Sequence, residues 1–236
     1  MIRWLASAQS IEEVSMLLET SVDIIDLKNP RMGALGALSS REVSRIVSLV
    51  AGRKLTSATI GDLAMSPEIL LPAITGMAGT GVDIVKIGFF ESPDQHACVK
   101  AIGTLKNPGA KLVAVLLADH APDMTLLPAL AEAGFYGVML DTALKDGRSL
   151  LDHMTPARLQ SFLTSARASG LIAGLAGSLR IEHVDALSLL TPDYLGFRGA
   201  LCDAHDRIAT LNRACIESVQ RVLHKNNMRA VNLATA

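Results

Sequence analysis

Eight short apolar runs recur along the chain, beginning near Ile2, Asp23, Lys54, Asp83, Lys111, Gly137, Leu171 and Tyr194. A segment of helical period follows each, so one strand and helix unit takes about 25 to 30 residues. Strands separated by helices in this way pair in parallel through right-handed crossovers, and a count of eight closes the sheet on itself. The punctuation agrees with that reading. Ser10 with Glu13 and Ser39 with Glu42 have capping-box spacing, while Ser66-Pro67, Ser92-Pro93 with Gln95, and Thr155-Pro156 put a capping residue and a proline at helix starts. Gly52, Gly79, Gly81, Gly134 and Gly170 fall where helices should stop. The sequence predicts a single (β/α)8 TIM barrel over residues 1–225, with its last helix from about Asp206 to His224 and a loosely held tail over 226–236. An open, doubly wound sheet is the competing topology.

Composition narrows the partners. With 236 residues, half of them hydrophobic, the chain is long enough for one large core. A formal charge of −1 without a long basic run argues against a nucleic-acid or membrane surface as partner and leaves small metabolites. Cys98, Cys202 and Cys215 are odd in number and lack Cys-x-x-Cys spacing, which fits buried thiols in a reducing compartment. No signal-like segment and no membrane-length apolar run occurs, so a cytoplasmic protein is expected. The histidines show no ligand spacing, and neither a metal nor a cofactor is expected. Assembly into a homo-oligomer is left open.

In such a barrel the chemistry sits at the carboxyl ends of the strands, and here those ends are polar. Asp26 and Lys28 close the second run just before Asn29-Pro30 and share a face because strand side chains alternate with a period of two. Lys86 interrupts the apolar fourth run, Asp141 ends the sixth, and Lys145 follows in the next loop. Lys28, Lys86, Asp141 and Arg198 all come from even-numbered strands, which allows them one layer. Lysines gathered at one mouth disfavour each other's protonation, and a neutral amine can form an iminium with an aldehyde or ketone. Taken singly, Asp26 with Lys28 also suits a solvated ion pair, and Lys86 suits a stem crossing apolar surface with its head in water. Gly177-Ser178 and Gly199-Ala200 follow the seventh and eighth runs, where barrels bind phosphate with backbone amides, and Arg198 offers a bidentate clamp. On that reading Arg198→Ala raises KM and leaves stability unchanged. The alternative is an arginine that ties barrel strands to a carboxylate.

The motifs Ile25-Asp26-Leu27-Lys28-Asn29-Pro30, Gly33-Ala34-Leu35-Gly36-Ala37, Ser57-Ala58-Thr59-Ile60-Gly61-Asp62 and Val85-Lys86-Ile87-Gly88 occur in an order resembling the 4-(hydroxymethyl)-2-furancarboxaldehyde-phosphate synthases of methanofuran biosynthesis, also named (5-formylfuran-3-yl)methyl phosphate synthases. Leu140-Asp141-Thr142-Ala143-Leu144-Lys145-Asp146-Gly147, Leu175-Ala176-Gly177-Ser178-Leu179 and Gly196-Phe197-Arg198-Gly199-Ala200 carry the resemblance along nearly the whole chain. It implies a barrel that condenses two glyceraldehyde 3-phosphates into one phosphorylated furan aldehyde, with Lys28 forming the Schiff base, Lys86 accepting a proton, and Asp141 and Lys145 assisting. Residues 118–122 and 201–205 follow the archaeal pattern less closely. The residues alone also suit an aldolase-type phosphosugar lyase or a barrel that binds a phosphometabolite without turnover.

Overall fold

The computed structural model describes residues 1–144 and 146–234. Eight parallel strands, β1 Arg3–Ala8, β2 Ile24–Leu27, β3 Leu55–Thr59, β4 Ile84–Phe89, β5 Lys111–Leu117, β6 Gly137–Asp141, β7 Ile172–Leu175 and β8 Tyr194–Phe197, form a closed barrel in sequence order. Closure is made by β8 against β1, with Arg3 opposite Tyr194 and Ala6 opposite Phe197. The eight predicted starts thus fall on or beside the observed ones. The helices are α1 Ile11–Leu18, α2 Ser40–Val50, α3 Pro67–Ala78, α4 Gln95–Ile102, α5 Leu126–Glu132, α6 Leu150–His153, α7 Pro156–Ala168, α8 Val184–Leu189 and α9 Arg213–Ala234. Among the described residues, no helix is long and apolar enough to cross a membrane.

Strand alternation divides the apolar residues into two cores. Leu5, Ile24, Ile84, Val113, Val115, Met139 and Tyr194 fill the barrel, while Trp4, Ile25, Leu27, Val85, Ile87 and Leu140 face the helices. The Gly174 position makes room for Tyr194, since a Cβ there would lie 2.2 Å from the phenol ring. At the amino-terminal rim one device recurs. Asp23, Asp83 and Asp193 each precede an even-numbered strand and accept a hydrogen bond from an odd-strand amide, those of Trp4 at 2.8 Å, Thr56 at 2.7 Å and Ala173 at 2.7 Å. These bonds satisfy strand-end donors on the face of the barrel that serves stability.

Ser39 and Glu42 form the expected capping box, but the Ser10 box is only half made. Ser10 accepts from the Glu13 amide at 3.3 Å, whereas the Glu13 carboxylate turns to the Gln9 amide at 2.8 Å and to Arg198. The last helix also differs from expectation. It begins at Arg213 because Asn212 Oδ1 caps the amides of Ala214 and Cys215 at 2.8 and 3.3 Å. Residues 202–211 are instead a loop, pinned by a bridge between Cys202 and Leu211. The helix then continues past residue 225, where Asn227 exchanges hydrogen bonds with the Ile2 backbone at 2.8 and 2.9 Å.

Candidate active site

The carboxyl ends of the strands enclose a cavity of about 230 Å³. Asp26, Lys28, Lys86, Asp141, Gly177, Ser178, Arg198 and Gly199 all line it. Lys145 lies outside the described residues. Asp26 is fully buried, and Lys86, Asp141 and Lys28 are 2, 3 and 6% exposed. Such burial of charge is tolerated only with partners. The strand registers supply them, because Ser7 of β1 and Ser57 of β3 flank Asp26 in the ladder. The Ser7 and Ser57 hydroxyls donate to the Asp26 carboxylate at 3.0 and 2.6 Å.

The ion pair to Asp26 comes from β4, two strands along the barrel wall. Lys86 Nζ stands 2.7 Å from Asp26 Oδ1, and Lys28 acts on the same carboxylate through its charge. Burial by itself would raise the Asp26 pKa, but the Lys86 and Lys28 charges, with hydrogen bonds from Lys86 and Ser57, hold it below the usual carboxylate range. Asp26 is therefore an anion that fixes Lys86 beneath the mouth and keeps Lys28 in the same field.

Two further carboxylates beyond strand ends anchor loops beside this centre. Asp62, beyond β3, accepts from the Ala34 and Leu35 amides at 2.8 and 2.7 Å and so anchors the glycine loop after Lys28. Gly33 has φ +94°, and a Cβ there would meet Asp62 Oδ2 at 2.0 Å, so this loop requires glycine. Asp119, beyond β5, accepts from the Ala143 and Leu144 amides at 2.8 and 2.7 Å, at the start of the loop that follows Asp141. Its pKa is lowered because these amide bonds outweigh the opposing effect of burial.

Gly177 and Ser178 adopt left-handed backbone, with φ +103° and +47°. A Cβ on Gly177 would lie 2.9 Å from the Thr142 methyl, so the β7 and β6 loops touch through its missing side chain. Among the described residues, the Gly177 and Ser178 amides donate to no protein acceptor, which suits a cradle for an anion.

Arg198 does not extend its donors into the cavity. Its guanidinium meets Glu13 at 2.6 and 3.1 Å and the carbonyls of Ser7, Arg207 and Ala209 at 3.1, 2.8 and 2.6 Å. Those contacts account for all five N–H groups of an arginine, so the expected phosphate clamp gives way to the alternative, a residue tying strand ends to a carboxylate. Glu13 completes the unit by accepting from the Leu211 amide at 3.2 Å. The expected effect of Arg198→Ala changes accordingly. Removing one partner strands a buried Glu13 charge, so urea unfolding should show a loss of about 3–5 kcal/mol. An unchanged unfolding midpoint would reject this role.

Arg207 and Arg180 also line the cavity, and the sequence reading selected neither. Burial lowers the Arg207 pKa, with Asp141 and Asp62 acting in the opposite sense. Arg180 reaches the Gly147 carbonyl at 3.0 Å. Among the described residues there is no cluster of three or more His, Cys, Asp or Glu suited to a metal ion.

Comparison with known proteins agrees with this architecture. The 4-HFC-P synthase family model matches residues 4–220. A (5-formylfuran-3-yl)methyl phosphate synthase of Archaeoglobus fulgidus is 33% identical over 234 residues, covering 93% of this chain and 98% of the relative. Its counterpart from Methanococcus aeolicus is 33% identical over 230 residues, with 92% and 98% covered. A Methylorubrum extorquens protein, whose assignment to the same synthase is provisional, is 41% identical over 212 residues, covering 90% and 87%. Among solved structures, 3-hexulose-6-phosphate synthase from Salmonella typhimurium superposes with a TM-score of 0.68 at 18% identity, covering 95% of this chain and all of that one. Phosphoribosyl anthranilate isomerase from Thermus thermophilus gives 0.65 at 12% identity, with 95% and 99% covered. At these identities the structural likenesses establish the fold alone.

Proposed function

From the 4-HFC-P synthase family, to which this chain belongs, we propose that it condenses two molecules of glyceraldehyde 3-phosphate into (5-formylfuran-3-yl)methyl phosphate, a step of methanofuran biosynthesis, through a Schiff base on Lys28. The supporting observation is one cavity lined by Lys28, by the buried Lys86–Asp26 pair and by Gly177 and Ser178, whose amides make no hydrogen bond among the described residues. The reaction is a carbon–oxygen lyase reaction on a phosphate ester. Two three-carbon phosphates balance one six-carbon furan phosphate, one inorganic phosphate and two waters.

Each residue has a separate task. Schiff-base formation needs a neutral amine, so Lys28 gives up its proton before it attacks, a loss that the neighbouring Lys86 ammonium favours. The Lys28 amine adds to the aldehyde carbon, and Lys86 gives a proton to the departing hydroxyl, which leaves as water. Lys86 is then a neutral amine beside the iminium and takes the proton from the adjacent carbon, so one residue serves as acid and then as base. Asp26 holds Lys86 in place through both protonation states with help from Ser7 and Ser57. Asp141 and Lys145 assist proton movements from the β6 end. The amides of Gly177, Ser178 and Gly199 receive a substrate phosphate.

Incubation with glyceraldehyde 3-phosphate as sole substrate tests the reading. Near-ultraviolet absorbance of a furan should rise together with free phosphate, one phosphate for each furan. Phosphate release or carbon bond formation without that absorbance would point to an ordinary lyase or aldolase. Binding without any turnover would leave only a phosphometabolite-binding barrel.

A further inference from the structure

We infer that Arg207 is a phosphate-binding residue of the barrel mouth, supplying a second anion contact beside the amides of Gly177 and Ser178 for a phosphate monoester substrate. The inference rests on the reading that the substrates are triose phosphates, and it deepens that reading by naming the side chain that neutralises one of them.

Two arginines of one loop are used in opposite ways. Every donor of Arg198 is committed to Glu13 and to backbone carbonyls. Among the described residues, the Arg207 guanidinium makes one hydrogen bond, to the Gly33 carbonyl at 2.9 Å, although it is half-buried and lines the cavity. Most of its fork is thus available to a ligand at the half-buried edge of the cavity.

The loop is built to bring that fork there. Arg198 Nε holds the Arg207 carbonyl at 2.8 Å, and Arg198 Nη2 holds that of Ala209 at 2.6 Å. A Cβ at Gly199 would lie 2.9 Å from the His205 carbonyl, so glycine there lets the loop fold back over β8. Ala204 and His205 turn the chain with φ of +51° and +58°. Arg198 is therefore a positioning residue for Arg207. The chemistry also calls for such a group, because two triose phosphates bring two phosphate dianions into one cavity, and backbone amides offer dipoles but no net positive charge.

The test uses the full chain and two variants. Arg207→Gln keeps a donor for the Gly33 carbonyl and removes the charge, whereas Arg207→Lys keeps the charge. Titration calorimetry with inorganic phosphate should show binding weakened about 10- to 100-fold in the glutamine variant and mostly recovered in the lysine variant. With glyceraldehyde 3-phosphate, Arg207→Gln should raise KM by a similar factor and leave kcat nearly unchanged, since a phosphate contact acts in ground and transition states alike. Equal phosphate affinity in the glutamine variant and the parent, or a lysine variant no better than the glutamine one, would overturn the assignment. So would a glutamine variant that fails to fold, which would make Arg207 part of the scaffold. A parent that forms no furan would defeat the proposed reaction, while the phosphate titration would still decide the role of Arg207.

Discussion

Lys28→Ala should abolish furan formation, with turnover reduced about 10⁴- to 10⁶-fold, the scale on which removing a covalent nucleophile acts. The residue is buried beside the end of β2 and lines the cavity, so under the proposed mechanism the change removes the reacting atom rather than a surface charge. Borohydride reduction of the parent in the presence of glyceraldehyde 3-phosphate should fix one adduct, and peptide mass mapping should place it on Lys28. An adduct on Lys86 would exchange the roles of the two lysines. Turnover with no reducible adduct on any lysine would end the iminium mechanism. Lys28→Arg separates charge from nucleophilicity, because arginine preserves a cation near Asp26 but offers no neutral amine at ordinary pH. It should fold as the parent does and remain as inactive as the alanine variant.

The parts of this architecture that could be read from the sequence were local ones. Strand starts followed from short apolar runs, and helix starts from Ser39-Glu42 and Thr155-Pro156, because those signals act within a few residues. Asp26 and Lys28 were legible as neighbours on one strand face for the same reason. That Lys86 makes a close ion pair with Asp26 was not, since it depends on how β2, β3 and β4 stack in register. The last helix begins later than the expected start near Asp206, because the bridge from Cys202 to Leu211 holds the preceding segment in a loop. Arg198 shows the same limit more sharply. Its position after β8 suited a phosphate clamp, but its carboxylate partner is 185 residues away in sequence and reaches it only when β8 closes against β1. Glu13, in turn, was legible as half of a capping box and not as the anchor of the loop that carries Arg207. The contacts that fix the site are long-range polar ones, and apolar periodicity carries no record of them.

In the proposed mechanism Lys86 serves catalysis while its ion pair serves stability, and its replacement should therefore change both. In Lys86→Ala, turnover should fall about 10²- to 10⁴-fold, as for loss of a general acid–base group, with a much smaller change in substrate binding. A variant altered only in KM would move Lys86 to phosphate binding. The same change removes the closest positive partner of the buried Asp26 carboxylate, so the protein should also lose about 3–5 kcal/mol at neutral pH. The sign of the pH dependence follows from Asp26. Its folded-state pKa is lowered in the parent, so its stabilising contribution is present above the unfolded carboxylate value, 3.8, and is lost as pH falls through the lower folded value. Without Lys86, the offset to burial shrinks and the folded pKa rises. The stability gap between parent and variant should accordingly be widest near neutrality and narrow as acid protonates Asp26, which urea unfolding at a series of pH values would reveal. Lys86→Arg provides the control that separates the two roles. It keeps a cation for Asp26 and should recover stability without recovering turnover, because arginine cannot cycle between acid and base. A gap that widens in acid would contradict the charge pairing, and an active arginine variant would reduce Lys86 to an electrostatic partner of Asp26.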